Sequence, residues 1–427
     1  MYSCSQLLQA IERGAFEERL SAVYGAEHLI SAQDRAIRVT GSLLEQFHPE
    51  QNAALFSGPG RTEIGGNRTD HQHGHVLCAS VDMDMLACAA PNGSNVIRIQ
   101  SEGYPALEVD LQDLSPRAGE INTTSALVRG VAAKIKELGY TVSGFDACVT
   151  STVLSGSGLS SSAAYEVLMG NIINHFDCGG KMDSIQIAKI GQYAENVYFG
   201  KPCGLMDQMG ASFGGAISID FQDAENPTVE KAGYDFTKSG HALCIVDTGS
   251  CHADLTNDYA AIPKEMGTIA AHFGKSVLRD VPEEDFRSSI QALRVSCGDR
   301  AILRAMHFYD DDRRAVQEAE ALKSGNFRKF LSLVNASGRS SVMLLQNAWA
   351  IADPGQQAIP LALAEGERLL EGTGAIRVHG GGFAGTIQAF VPNEKLEVFK
   401  TGMETLLGAG KCHILHIRPQ GGCVIVE

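Results

Sequence analysis

The stretch Leu154-Ser155-Gly156-Ser157-Gly158-Leu159-Ser160-Ser161-Ser162-Ala163-Ala164 has the composition of a loop that surrounds phosphate oxygens. Its glycines let backbone approach an anion closely. A helix opening behind it would aim free N–H groups and the positive end of its dipole at the same point. The serine hydroxyls can bond phosphate oxygens or hold Mg²⁺. No lysine follows the glycines, so this is not the Walker A loop of P-loop nucleotidases. A flexible Gly/Ser connector is the plain alternative, but connectors seldom sit between an apolar strand and a long apolar helix. The chemistry implied is phosphoryl transfer, with Ser155, Gly156, Ser157, Gly158, Leu159, Ser160, Ser161 and Ser162 as the expected nucleotide-binding residues.

Three further segments invite chemistry. Gly58–Asp70 is rich in turn formers and is expected to expose Arg61, Arg68 and Asp70 together. Cys203-Gly204-Leu205-Met206-Asp207-Gln208 sets a carboxylate in a tight, glycine-bordered context, where an isolated Asp would ordinarily cap a helix or close a turn. His379-Gly380-Gly381-Gly382-Phe383-Ala384-Gly385 is a loop whose backbone either approaches something very closely or makes a tight connection. His71-Gln72-His73-Gly74-His75 suggests a metal site, because alternate strand residues share a face. Gly74 would break that strand and no nearby carboxylate or cysteine array completes a ligand set, so a polar strand edge is the better account.

These residues need elements to hold them. The Phe145–Leu154 run is rich in β-formers, and Ala163, Val167, Leu168, Ile172, Ile173 and Phe176 recur near helical spacing, so the serine loop should join a strand to a helix. Residues 5–48 predict an amphipathic helical leader, with Leu7, Leu8 and Ile11 on one face and a second stripe from Leu20 to Leu29. From Ala53 to Ile99 short strands punctuated by Gly and Pro are expected, then a helix at Thr124–Leu138. Ile185–Tyr198 predicts another helix, and Gly200-Lys201-Pro202-Cys203-Gly204 is a breaker cluster leading to a second domain. Beyond it, strands are expected at Ala216–Ile219 and Ala242–Val246, several helices between Ala260 and Leu370, and strands at Ala375–Val378, Thr386–Val391, Cys412–Ile417 and Cys423–Val426. The class is α+β in two domains, residues 1–200 and 201–427, with the last strand free to return to the first.

Composition bounds the partners. A chain of 427 residues exceeds what one core usually serves. A net charge of −15 leaves no broad basic surface for nucleic acid or anionic lipid. The eleven cysteines lack C-x-x-C pairs and the N-terminus lacks a basic region before an apolar core, which favours the cytoplasm and free, mostly buried thiols. Asp82 and Asp84 interrupt the apolar Val76–Ala90 run, so no membrane span is expected. Nothing in the sequence fixes an oligomeric state.

Taken in order, the four segments resemble the galactokinases of the GHMP small-molecule kinase family, from about Leu20 to the C-terminus. The family's first motif, approximately G-R-[VI]-N-L-I-G-E-H-x-D-Y, lies over Gly60–His71 without a gap, and its G-L-S-S-S-A matches Gly158–Ala163 letter for letter. C-G-[IL]-M-D-Q matches Cys203–Gln208, and G-G-G-F-G-G matches Gly380–Gly385 except at Ala384. The resemblance implies a ribosomal protein S5-like N-terminal domain, a ferredoxin-like C-terminal domain and an active site between them. It implies ATP as co-substrate, Mg²⁺ as cofactor and phosphorylation of a sugar's anomeric hydroxyl, galactose to galactose 1-phosphate. By position, Asp207 would face that hydroxyl and Arg61 would lie between Asp207 and the transferred phosphoryl group. Ser162 and Glu195, twelve residues before Asp207, would bind the metal, and Asn67, Arg68, Asp70, Gly204, Asp207 and Tyr259 would meet the sugar.

Three departures stand out. Asn67-Arg68 replaces the family's Glu-His pair, at positions that normally contact the sugar's primary hydroxyl. Since Arg can hold a carboxylate through paired hydrogen bonds, a C6-modified sugar such as galacturonate is an alternative substrate. The adenine-side segment, usually W-x-N-Y-x-K-G-V, reads Thr124–Val131 without either aromatic, which leaves nucleotide preference open. Ala384 replaces a glycine and is tolerable where φ is negative. A non-catalytic sugar sensor on the same scaffold is the rival from another class, and the intact serine loop speaks against it.

Overall fold

Two apolar runs, Ala53–Ile64 and Val76–Ala90, are too continuous to leave a strand face in water, and they become the central strands of a sheet covered on both sides. The computed structural model describes residues 2–153, 158–249, 255–351 and 353–427. In chain order its strands are β1 (Tyr2–Ser3), β2 (Asn52–Gly65), β3 (His75–Pro91), β4 (Val96–Ser101), β5 (Leu107–Asp110), β6 (Phe145–Ser151), β7 (Ala216–Asp220), β8 (Thr228–Lys231), β9 (His241–Asp247), β10 (Ala375–Val378), β11 (Thr386–Pro392), β12 (Cys412–Leu415) and β13 (Cys423–Val426).

The larger sheet has nine strands, ordered β1-β2-β3-β6-β4-β5, with β13 on β2 and the β7–β8 pair on β3. The leader helices Cys4–Glu12, Glu17–Tyr24 and Leu29–Phe47 cover one face, where Leu7, Ile11, Leu20, Val23 and Leu43 pack on Leu55, Leu86 and Cys88. The helices Thr124–Glu137 and Ser161–Asp177 cover the other through Val128, Val131, Ile135, Val167, Leu168 and Ile172. Asp84 on β3 clasps distant parts of the chain together. Its buried carboxylate accepts from Tyr24 Oη at 2.6 Å and from the Ser57 hydroxyl, and pairs with Arg35 at 2.8 Å and Arg418 at 3.4 Å.

The structure corrects one expectation here. Gly58-Pro59-Gly60 is no exposed turn; β2 runs through it for 14 residues and β3 for 17, where short interrupted strands were expected. Pro59 has no N–H to give the ladder, and the β2–β3 register slips between Pro59 and Arg61 to accommodate it. Gly58 serves close packing. A Cβ there would stand 2.4 Å from the Ala164 carbonyl oxygen and 2.9 Å from Leu168 Cβ.

The smaller sheet is antiparallel, ordered β10-β11-β9-β12. The helices Ala358–Leu370 and Leu396–Leu407 bury Ile359, Ala362, Phe399 and Met403 against its Val246, Ile387 and Ala389, a ferredoxin-like layer of two helices on four strands. The chain passes from the larger sheet to the smaller between Lys231 and His241, so residues 206–231, beyond the division expected at 200, still pack with the first sheet. β13 returns to β2. No helix among the described residues is long and apolar enough to cross a membrane.

Candidate active site

Arg61 stands on β2 just after the register slip, beside the start of the Ser161–Asp177 helix. Its backbone N–H donates to the Leu159 carbonyl at 3.0 Å, and its Nη1 donates to the Gly158 carbonyl. Nε and Nη2 both donate to Asp207 Oδ1, at 2.8 and 2.5 Å. Gly158 takes φ 71°, which glycine adopts freely, and Ser160 is held at φ 55°. A side chain at Gly158 would also press to 3.0 Å from His379 Nδ1 and Thr386 Oγ1.

Asp207 is the second residue of the Met206–Phe213 helix, so its carboxylate stands at the positive end of the helix dipole. Burial works against its charge, yet Arg61, the Ser160 hydroxyl and Lys201 outweigh that and hold its pKa below the ordinary carboxylate value. Arg61 is almost wholly buried while the Asp207 side chain keeps 21% of its surface open. The result is an ionised carboxylate, fixed by a buried cation and accessible from outside, which can accept a hydroxyl proton or orient a hydroxyl.

A second group adjoins it. Glu195 sits in the π-helical turn Ala194–Phe199, which Gly200 ends at φ 84°. Glu195 Oε1 accepts from Ser162 Oγ at 2.9 Å and from Lys201 Nζ at 3.1 Å. Gln208, next to Asp207, donates from Nε2 to Glu195 Oε2 and to Glu166 Oε2, both at 2.9 Å. Burial and the neighbouring Glu195 push Glu166 well above the ordinary carboxylate pKa. Glu166 was given no part in the sequence reading, Gln208 only closed the motif that carries Asp207, and Lys201 was only part of a breaker cluster. Glu166 carried a signal all the same: a carboxylate within the apolar helical stripe of Ala163, Val167 and Gly170.

A third group gathers around Asp70 and Arg68. Asp70, on the turn Asp70–Gln72, packs on Gly204, where a Cβ would come 2.3 Å from Asp70 Oδ2. Arg68 takes φ 65° and stacks over the Tyr259 ring at 5.2 Å, and both lean on Gly381. Burial pushes the Tyr259 hydroxyl up to about 12, so it remains a donor, to the Gly382 carbonyl at 2.7 Å. Asn67 does not share this placement. It is fully buried, with Nδ2 on Glu63 Oε1 (2.6 Å) and the Gly380 carbonyl (2.7 Å), and Oδ1 accepting from Asn347 Nδ2 (2.8 Å). Every polar group of its side chain is engaged within the protein, so it braces the loop rather than facing a ligand. Glu63 is paired with Arg377 at 2.8 Å, and no acid among the described residues pairs with Arg68.

The glycine loop bends around Asn347, and a Cβ on Gly382 would meet the Asn347 carbonyl oxygen at 2.1 Å. Ala384 does not need a positive φ, which is why its methyl group is accommodated. His75 engages Asp312 at 3.0 Å and Asp220 at 3.2 Å, with Arg279 beside both carboxylates. Ser155, Gly156 and Ser157, and residues 250–254 of the Thr248–His252 stretch and its neighbourhood, lie outside the described residues.

Comparison with known proteins agrees with this arrangement. A family model of the galactokinase galactose-binding signature matches residues 44–91, and one of the N-terminal domain of GHMP kinases matches residues 126–215. The galactokinase of Streptomyces coelicolor is 29% identical over 87% of this chain and 94% of its own. That of Actinobacillus pleuropneumoniae is 30% identical over 81% of this chain and 87% of its own. Among solved structures, Lactococcus lactis galactokinase complexed with galactose superposes with a TM-score of 0.76 at 24% identity, covering 90% of this chain and 98% of that one. A mevalonate kinase superposes at 0.61 and 13% identity, over 86% and 99% of the two chains, so the architecture extends well beyond sugar kinases. With Gly158–Ser162, the Arg61–Asp207 pair and the glycine loop gathered in one cleft, and with relatives matching over nearly their whole length, the chain belongs to the galactokinase family.

Proposed function

We propose that this chain transfers the γ-phosphoryl group of ATP to the anomeric hydroxyl of galactose, giving galactose 1-phosphate. The observation that carries the reading is the two-point hold of Arg61 on Asp207 directly beside the Gly158–Ser162 backbone. A hydroxyl that attacks phosphorus must shed its proton as negative charge spreads over the transferred group. Asp207, kept ionised, orients the hydroxyl and accepts its proton. Arg61 stands between that carboxylate and the serine loop, and stabilises the charge that develops on the phosphoryl oxygens.

The nucleotide lies along the loop from Ser155 to Ser162, with its phosphates at the start of the Ser161–Asp177 helix. Galactose takes the opposite side, against Asp70, Gly204, Arg68 and Tyr259, with Asn67 supporting them from beneath. The signature match over residues 44–91 and the relatives' names favour galactose over a C6-modified sugar. Arg68 also has a partner in the Tyr259 ring face without any anionic substituent on the sugar. The hydroxyl of Ser162 and the carboxylate of Glu195 are hard oxygen donors already set on one another at 2.9 Å, and the Lys201 ammonium on Glu195 marks an oxygen that attracts a cation. They fit Mg²⁺, which few protein ligands hold when phosphates and water complete its shell. When bound, it neutralises charge on the β- and γ-phosphates. Ten free cysteines among the described residues support a reducing compartment, and we place the enzyme in the cytoplasm.

The reading is tested by ADP release with ATP, Mg²⁺ and a panel of galactose, glucose, N-acetylgalactosamine, galacturonate and mevalonate. Galactose should be turned over fastest, and galacturonate should neither react nor inhibit at comparable concentration. Preference for galacturonate would move the substrate to the C6 acid, and absence of turnover with every sugar would return the scaffold to a sensor.

A further inference from the structure

Three segments far apart in the chain meet at one edge of the leader: the turn Ala26–His28, Asp82 within β3, and His416 just after β12. His28 Nε2 lies 3.3 Å from His416 Nδ1. Asp82 Oδ2 lies 3.2 Å from His416 Nδ1 and 3.7 Å from His28 Nε2. Glu27 adds a carboxylate oxygen, and the ligand atoms of Glu27, His28 and His416 all fall within 4.8 Å of one another. Ligands held about 2.0–2.1 Å from a tetrahedral Zn²⁺ stand about 3.3 Å from each other. The two nitrogens, and His416 Nδ1 with Asp82 Oδ2, have that spacing, the His28–Asp82 pair is wider at 3.7 Å, and a point roughly 2 Å from all three lies among them.

The donors are also pre-arranged. The His416 backbone N–H donates to Asp82 Oδ1 at 2.9 Å and the Asp82 N–H donates to the His416 carbonyl at 3.0 Å, so both residues are fixed by backbone and Oδ2 is left facing the imidazoles. Ligands whose orientation is set by a neighbouring hydrogen bond lose less freedom on binding a metal. The contrast with His75 is direct. There two carboxylates also surround an imidazole, but the Arg279 guanidinium already sits between them.

We propose that Glu27, His28, Asp82 and His416 form a binding site for a divalent transition-metal ion of the zinc class, which ties the helical leader to the body of the enzyme. Two imidazoles with one or two carboxylates suit Zn²⁺, Co²⁺ or Ni²⁺, whereas Mg²⁺ and Ca²⁺ prefer oxygen-only shells. The site is distinct from Ser162 and Glu195 and serves stability. An ion that binds only the folded chain raises its melting temperature by mass action.

The test uses CoCl₂ as a visible probe and ZnCl₂ in thermal melts, on the full chain stripped with a chelator and without nucleotide. The wild type should bind one Co²⁺ per chain at micromolar concentration with the intense visible band of a tetrahedral site, and ZnCl₂ should raise its melting temperature. H28A and H416A should each weaken Co²⁺ binding at least about tenfold, and the double variant should lose both the band and the zinc-dependent shift. The His28 and His416 side chains are 39% and 46% exposed, so the metal-free variants should melt like the metal-free wild type. H28Q alone provides a milder second variant. Binding that survives in the double variant, or a wild type with no tetrahedral band and no zinc-dependent melting shift, would overturn the site.

Discussion

At the scale of single residues the account rests on the charge pair in the cleft. Arg61 supplies three donors to two partners, the Gly158 carbonyl and one Asp207 oxygen, a geometry that a lysine cannot reproduce. Removing either side chain should therefore remove stabilisation felt mainly in the transition state. Asp207→Ala and Arg61→Ala are each expected to lower kcat by roughly 10³-fold or more, with a comparable fall in kcat/KM, while a cooperative unfolding transition is retained at a lowered melting temperature, because either variant leaves its partner unpaired. Steady-state kinetics beside a thermal melt check this, and near-normal turnover in either variant would contradict the roles given to them. The pair was legible in the sequence because both residues stand in short motifs with fixed spacing. Lys201 and Gln208 were not, since a lysine and a glutamine carry no sign of which carboxylate they will meet. Asn67 was legible as a departure but not in its consequence, because full burial against Glu63, Gly380 and Asn347 depends on three distant segments.

At the scale of elements, the cleft depends on how closely β2 lies on the Ser161–Asp177 helix. Gly58 sets that distance: any Cβ there meets helix backbone at 2.4 Å, and backbone cannot swing aside as a side-chain tip can. Gly58→Ala should destabilise the fold by about 1–3 kcal/mol and, by displacing the start of the helix, also reduce activity. Urea unfolding together with kinetics measures both, and a neutral substitution would show that the contact is softer than the packing implies. Periodicity made the leader helices, the strand–loop–helix around Ser162 and the strands of the smaller sheet readable from sequence. It failed at Gly58-Pro59-Gly60, where turn-forming residues lie inside a long strand. Pro59 is absorbed by a register slip and the glycines by close packing, neither of which local propensity reports. The π-helical turn that presents Glu195 was equally hidden, because the extra residue in that turn leaves no mark in an apolar pattern.

At the scale of the whole molecule, the two sheets are joined by buried polar contacts, and the cleft lies where they meet. Arg377 of β10 pairs with Glu63 of β2 at 2.8 Å, and Gln388 of β11 donates to Thr62 of β2 at 2.6 Å. The Asp84 clasp does the same for the leader and the C-terminal segment. Breaking a buried ion cluster by removing its anion leaves cations uncompensated, so Asp84→Asn should cost about 3–5 kcal/mol. Burial opposes the charge on Asp84, but Arg35 and Arg418 prevail and hold its pKa below the ordinary value. A depressed carboxylate pKa contributes stability above the unfolded value near 3.9, and that contribution is lost as pH falls through the folded value. The gap between wild type and Asp84→Asn, followed by denaturant unfolding, should thus be full at neutral pH and shrink below about pH 4; a gap independent of pH would remove the clasp from the account. The central claim is that this architecture places phosphate on the anomeric oxygen of galactose. It is met most directly by ³¹P NMR of the product formed from galactose, ATP and Mg²⁺. The account predicts a single new phosphomonoester coupled to the anomeric proton, absent when Asp207→Asn replaces the wild type. A phosphate on C6, or ATP hydrolysed to inorganic phosphate with no sugar ester, would contradict it.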